Sequence, residues 1–184
     1  STLPFLSKII ERLIHSRFYS YLMKYNILYE NQFGFQKHKS RSYVFLKFPN
    51  FWYSAINNKE VTLSVFLDFS NAFDTIDNDI ILKKLELYGI RGHINSWFQS
   101  CLTNRKYNVK INEFKSPESL FKLDAPQGSI LGPILFLLYI SDLNKSSNKL
   151  NFVHFADDST VYSKGKNIDD QCVKLLSIKN SSNK

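Results

Sequence analysis

Two apolar runs, Leu150–Ala156 and Ser159–Ser163, meet at the adjacent acids Asp157 and Asp158, and a third run, Val61–Leu67, leads straight into Asp68. No other feature restricts the fold as much. Alternating β-branched and aromatic residues predict strands, and an acid pair between two such runs predicts a hairpin with carboxylates at its tip. In the third run Val61, Leu63, Val65 and Leu67 share one face. Carboxylates gathered at strand ends repel one another and are costly to take out of water. A divalent cation removes that objection. Hard oxygen donors suit Mg²⁺, which keeps waters and substrate phosphates in its octahedron. Two such ions about 3.5–4 Å apart stabilise the attacking and the leaving oxygen of an in-line phosphoryl displacement. Asp-Asp in a tight turn is also ordinary turn chemistry, so the pair by itself leaves both readings open.

The rest of the chain reads as helices and short strands around these runs. Ile10, Leu13, Ile14, Phe18, Tyr21 and Leu22 recur at helical spacing and predict a helix over 6–24. A loop follows through Asn26 and Asn31 to Gly34. A helix over about 41–57 is expected to be interrupted at Pro49. Asn78 or Asp79 should cap a helix that runs through Tyr88 and ends at Gly89. A further helix covers about 93–103. Tyr107–Asn112 and Leu120–Leu123 suggest a strand pair around Ser116-Pro117. Ser129–Asn144 reads as a helix with Gly132-Pro133 in its first turn, where proline is tolerated. Trp52, Tyr53, Trp97 and Phe98 read as core aromatics, Cys101 as a small buried side chain and His154 as a strand side chain.

The 184 residues carry a formal net charge of +8, which suits a polyanionic partner because each neutralised phosphate releases condensed counterions. The two cysteines, Cys101 and Cys172, form no metal-ligand pattern, and none of the four histidines pairs with another at ligand spacing. The most apolar stretch, Ile130–Ile140, is too short to span a bilayer, so a soluble, intracellular protein is expected. The chain lacks an initiating Met and ends in the polar run Ser177–Lys184, so a piece cut from something longer is expected.

Four segments occur in order: Asn31-Gln32-Phe33-Gly34-Phe35; Phe66-Leu67-Asp68-Phe69-Ser70-Asn71-Ala72-Phe73-Asp74; Ala125-Pro126-Gln127-Gly128-Ser129-Ile130-Leu131-Gly132-Pro133; and Phe155-Ala156-Asp157-Asp158. The series resembles the reverse transcriptases of non-long-terminal-repeat retrotransposons, the jockey-like type above all, over nearly the whole chain. The resemblance implies an RNA-directed DNA polymerase of α+β class with the fingers and palm of a right-hand polymerase. Fingers would come from about 1–60 and 104–124. The palm, an antiparallel sheet backed by helices, would come from about 61–103 and 125–165, and a truncated C-terminal segment from 166–184. No thumb is expected, since few residues follow Asp158, and the chain alone should have weak or no activity.

The same resemblance makes Asp68, Asp157 and Asp158 the catalytic, metal-binding carboxylates for two Mg²⁺ ions, with Mn²⁺ as an alternative, and turns the Phe69 carbonyl toward a metal. It assigns the main-chain amides of Asn71 and Ala72 to the incoming triphosphate and makes Phe73 a steric gate against the ribose 2′-hydroxyl. Gln127 and Gly128 would contact nucleotide and template, and Lys37, Lys39 and Arg41 the phosphates. The implied partners are an RNA template, a DNA primer, their RNA–DNA duplex and deoxynucleoside triphosphates, with no membrane and with access to the nucleus. The chain departs from the family pattern at Gln36, where Arg is usual, at Arg41, where Thr is favoured, and at Tyr107, where Gln is common. These departures leave a catalytically dead basic RNA-binding remnant as another reading; a group II intron-type reverse transcriptase ranks well below, because the segment Gln127–Pro133 departs from the usual pattern there.

Overall fold

The computed structural model describes residues 5–69, 72, 76–103, 106–120 and 129–181. In chain order the elements are α1 (Phe5–Lys24), α2 (Arg41–Asn57), β1 (Val61–Asp68), α3 (Asn78–Leu87), α4 (His93–Leu102), the two-residue strands β2 (Lys106–Tyr107), β3 (Lys110–Ile111), β4 (Phe114–Lys115) and β5 (Ser119–Leu120), then α5 (Gly132–Ile140), β6 (Asn151–Phe155), β7 (Asp158–Gly165) and α6 (Ile168–Ser181). They belong to two compact units, one of Ser1–Tyr21 with Asn71–Tyr139, the other of Leu22–Ser70 with Ile140–Lys184.

The second unit is built on an antiparallel sheet of order β1-β7-β6. Register fixes which side chains share a face, because alternate residues of a strand point to opposite sides. Tyr162 and Val153 lie on one face, where Phe33 and the α2 side chains Val44, Phe48 and Phe51 cover them. Val161, Phe152 and Leu150 are covered from the other side by Tyr29, Leu67, Leu143 and Leu175 of α6. The expected antiparallel sheet backed by helices is therefore observed. β7 in the centre carries the buried residues Ser159, Val161, Tyr162 and Ser163, whereas Val61 and Val65 of the edge strand β1 stay 40% and 38% exposed. The apolar face expected from β1 is thus only partly buried.

α2 runs unbroken through Pro49. An interior proline costs about 3 kcal/mol, and the stripe Val44, Phe48, Phe51 and Ala55, packed or buried at helical spacing, offsets it. Trp52 and Tyr53, expected in the core, are 42% and 66% exposed because they fall off that stripe. At the far end of the sheet Lys164 pairs with Glu60 at 3.4 Å and donates to Ser54 Oγ at 2.8 Å. α6 packs on β7 and β1.

In the first unit α3 packs against α4, burying Ile81 and Leu85 of one and Phe98 and Leu102 of the other, each pair four residues apart. Phe18 of α1 meets Phe98 with ring centroids 5.2 Å apart. The cap of α3 is Asp77, one residue before the position expected: its Oδ1 accepts from the amides of Asp79 and Ile80 at 2.9 and 3.1 Å. Gly89, at φ +87°, closes the helix with amide bonds from Gly89 to Glu86 O and from Ile90 to Leu85 O, the paired pattern of a left-handed stop. The β2–β5 and β3–β4 pairs are nested, with the turn at Asn112-Glu113 rather than at Ser116-Pro117; Asn112 tolerates the positive φ of +54° that this turn needs. Phe121–Leu123 lies outside the described residues. α5 begins at Gly132, three residues after the expected Ser129, keeps Gly132-Pro133 in its first turn, and stops at Ile140, short of the expected Asn144. No helix among the described residues is long and apolar enough to cross a membrane.

Candidate active site

The second unit brings the sequence-predicted carboxylates to one end of its sheet. β6 and β7 are joined by the two-residue turn Ala156-Asp157, so Asp158 is the first residue of β7 and not part of the tip. The β1–β7 register pairs Asp68 with Asp158, and β6 pairs Phe155 with the same Asp158. Cross-strand partners lie on one face, so Asp68, Asp158 and Phe155 share a face, the one that α2 covers further along the sheet. Asp68 and Asp158 are exposed and Asp157 is half-buried.

Among the described residues no three His, Cys, Asp or Glu side chains already surround a common point. The donor set is all oxygen, and its acids come from two neighbouring strands and the turn between β6 and β7. That fits Mg²⁺, which is commonly held by one or two carboxylates and completed by waters and substrate phosphates.

The turn has an unusual support. Ala156 has φ +56°, and Asp157 does not share the positive φ, the pattern of a turn whose first position usually takes glycine. The segment Asn31–Phe33 runs along the outer edge of β6: Phe33 N–H donates to His154 O at 2.8 Å and His154 N–H to Asn31 O at 3.0 Å. From that edge the buried Gln32 reaches the turn. Its Nε2 donates to Ala156 O at 3.2 Å, and its Oε1 accepts from Ala156 N–H at 3.2 Å and from Gly34 N–H at 2.9 Å. A Cβ at Gly34 would stand 2.0 Å from Ala156 N, so only glycine allows this approach. The sequence marked this segment by its order among four, without a role for Gln32 or Gly34; loop residues carry no periodicity to reveal such a contact.

Behind the sheet, His154 pairs with Ser159 in the register, and its Nδ1 lies 2.6 Å from Ser159 Oγ. The imidazole is 1% exposed, its Nε2 has no partner among the described residues, and burial lowers its pKa to about 4. It is a neutral core group of the hairpin, more than a simple strand side chain.

The basic candidates divide. Lys39 folds back on its own loop, donating to Glu30 O at 2.6 Å and Gln32 O at 3.0 Å, with its ammonium 5.3 Å from the Phe33 ring centre. Burial lowers its pKa, and Lys47 beside it adds to the effect, against the opposing charge of Glu30. Arg41, at the start of α2, stacks its guanidinium over the Phe155 ring at 4.9 Å, on the face that carries Asp68 and Asp158. Lys37 is exposed. Gln36, which stands where the family has Arg, is buried, and its Nε2 has no partner among the described residues. Phe69 follows β1 directly, and Ala72 is buried at 3% exposure. Asn71, Phe73, Gln127 and Gly128 lie outside the described residues. Next to the last two, Glu11 of α1 accepts from Ser129 Oγ at 3.0 Å and Ile130 N–H at 2.8 Å, tying the approach to α5 within the first unit.

The fold carries acids at the sheet end of a strand and of a neighbouring hairpin, and the chain belongs to the reverse transcriptase (RNA-dependent DNA polymerase) family, whose pattern it matches over residues 1–182. It is 30% identical over 181 residues to the RNA-directed DNA polymerase from mobile element jockey of Drosophila melanogaster, covering 91% of this chain and 19% of that protein. It is 31% identical over 165 residues to the probable RNA-directed DNA polymerase from transposon X-element of the same organism, covering 88% and 18%. The jockey-like resemblance read from the four segments is thus met by these relatives, and the chain spans about a fifth of their length. Telomerase from Candida albicans, solved with a fragment of telomeric RNA, has the same fold at a TM-score of 0.63 and 18% identity, over 94% of this chain and 32% of that one. The mixed α/β fold with an antiparallel sheet is that of polymerase fingers and palm.

Proposed function

We propose that this chain supplies the nucleotidyl-transfer centre of an RNA-directed DNA polymerase from a non-long-terminal-repeat retrotransposon. The observation that carries the reading is the register of Asp68 with Asp158, beside a turn that presents Asp157, in a chain of this family. Asp68, Asp157 and Asp158, with the Phe69 carbonyl, would hold two Mg²⁺ ions. Such ions neutralise the phosphate charge and stabilise the attacking and leaving oxygens of the displacement. The residues' own contribution is geometric. Paired strands hold Asp68 and Asp158 at a fixed spacing, and the turn keeps Asp157 beside them. Arg41, stacked on Phe155, supports a guanidinium on the carboxylate face, where it can meet substrate phosphate. Lys39, tied to main-chain carbonyls, contributes by holding the loop and Lys37 by its exposed charge.

The amides of Asn71 and Ala72 are read as a triphosphate cradle, Phe73 as the gate against ribonucleotides, and Gln127-Gly128 as a contact to nucleotide and template. Residues 1–60 and 104–124 are read as fingers and 61–103 and 125–165 as palm. The net charge of +8 suits a primed RNA template held through its backbone.

Extension of a DNA primer on an RNA template, with deoxynucleoside triphosphates and Mg²⁺, tests the reading in the full chain. Asp157→Asn should reduce extension by at least ~10³-fold, the scale of losing a principal electrostatic element of a site, while circular dichroism and the melting temperature stay near the parent's. Parent-level extension by this variant would refute the carboxylate assignment.

A further inference from the structure

We propose that Gln32 is a positioning residue for the carboxylate site: acting through the main chain of Ala156, it fixes the turn that carries Asp157 and starts β7 at Asp158. The inference rests on the polymerase reading and deepens it, since it concerns the same carboxylates. Gln32 is 2% exposed, and both ends of its amide are spent on the turn. The amide donates to the Ala156 carbonyl and accepts from the Ala156 N–H, the two bonds a neighbouring strand would make. The third bond, from Gly34 N–H to Oε1, fixes the amide's own orientation. An apolar side chain would fill the space without the cost of burying an amide, so the amide answers the turn's need for partners.

The turn needs that support for two reasons. Ala156 occupies a left-handed conformation that side chains disfavour, and such a residue persists only where its surroundings hold it. Asp157, Asp158 and the facing Asp68 also gather like charge at the hairpin tip, which disfavours their close approach before any cation binds. Gln32 opposes both effects and, among the described residues, has no bond of its own to a carboxylate. Gly34 completes the socket, since its missing side chain lets the loop lie against the Ala156 main chain.

The test compares the parent with Gln32→Met, which keeps the volume and removes the amide, and with Gly34→Ala, which forces the turn by contact. Leu175→Ala, on the α6 side of the sheet, is a control that destabilises the same unit away from the site. Two quantities are read in the full chain: Mn²⁺ affinity without substrate, by electron paramagnetic resonance, and kcat and KM for primer extension. Gln32→Met and Gly34→Ala should each weaken Mn²⁺ binding by about tenfold to a hundredfold, the range for losing a group that orients metal ligands. They should lower kcat by a similar factor and leave the nucleotide KM within about threefold, as expected when an interaction made in the transition state is lost. Leu175→Ala should lower the melting temperature and leave Mn²⁺ affinity unchanged. Should Gln32→Met fail to fold, Gly34→Ala carries the comparison. Parent-level Mn²⁺ affinity and kcat in the folded variants, or an equal loss in Leu175→Ala, overturns the positioning role. A parent that binds Mn²⁺ but extends no primer has the weak activity expected of a chain that spans about a fifth of its relatives, and the Mn²⁺ comparison then decides Gln32; a parent that binds no Mn²⁺ overturns both the carboxylate reading and the positioning role.

Discussion

His154 shows how a single residue ties the hairpin to pH. Its neighbours are the Ser159 hydroxyl and the edge of the Tyr29 ring, 5.6 Å away between centroids. Burial lowers its pKa to about 4 from the ordinary 6.5, so the folded chain keeps it neutral where the unfolded chain takes up a proton. The stability it contributes is therefore complete above pH 6.5 and is lost as pH falls toward 4, by an amount on the order of 3 kcal/mol. Urea unfolding of the parent and of His154→Phe, compared between pH 7 and pH 4.5, should give a difference that narrows with acidification. Other carboxylates contribute to both proteins and cancel in that difference. A difference independent of pH would mean that the imidazole binds its proton equally well in the folded and the unfolded chain. Nothing in the sequence signals this, since a histidine in a strand pattern has no marker for which face it takes; the register that sets it behind the carboxylates is a tertiary fact.

At the scale of elements, the cap of α3 separates hydrogen bonding from charge. Asp77→Ala removes the acceptor for two orphan amides and should cost about 1 kcal/mol in urea unfolding, whereas Asp77→Asn keeps an acceptor and should cost at most a few tenths. An equally large loss in Asp77→Asn would assign the stabilisation to the helix dipole instead. Elements were legible wherever a period or a stop residue marked them: α1, α2, β1, and the end of α3 at Gly89. The cap fell one residue early because Asp77, Asn78 and Asp79 are all competent, and only the chain's entry angle chooses among them. The turn of the β3–β4 hairpin moved from Ser116-Pro117 to Asn112 because the sequence marks proline clearly and an asparagine with positive φ only weakly. Pro49 misled in the opposite direction, since local cost was outweighed by a packed stripe that only the sheet supplies.

For the whole molecule, a net charge of +8 on 184 residues sets how it should meet nucleic acid. Binding to a primed RNA template should fall by about 10²-fold between 50 and 200 mM salt if roughly four or five phosphates are neutralised. A salt series by fluorescence anisotropy measures this, and a flat profile would remove the electrostatic basis of template binding. The position of the acids at strand ends was legible because an acid that closes an apolar run is chemically conspicuous. The apparatus that holds them was not, because it is assembled from residues far apart in the chain. Gln32 and Ala156 are 124 positions apart. Closing a loop of that length costs on the order of 4 kcal/mol in chain entropy beyond a constant, and the cost is met only when β6, β7 and the Asn31–Phe33 segment come together. A peptide of Asn151–Gly165 would hold Asp157 and Asp158 in sequence but would lack Asp68, and Gln32 to brace its bend. The geometry of the acids is thus a property of the assembled chain, lost in any fragment that leaves out its early residues.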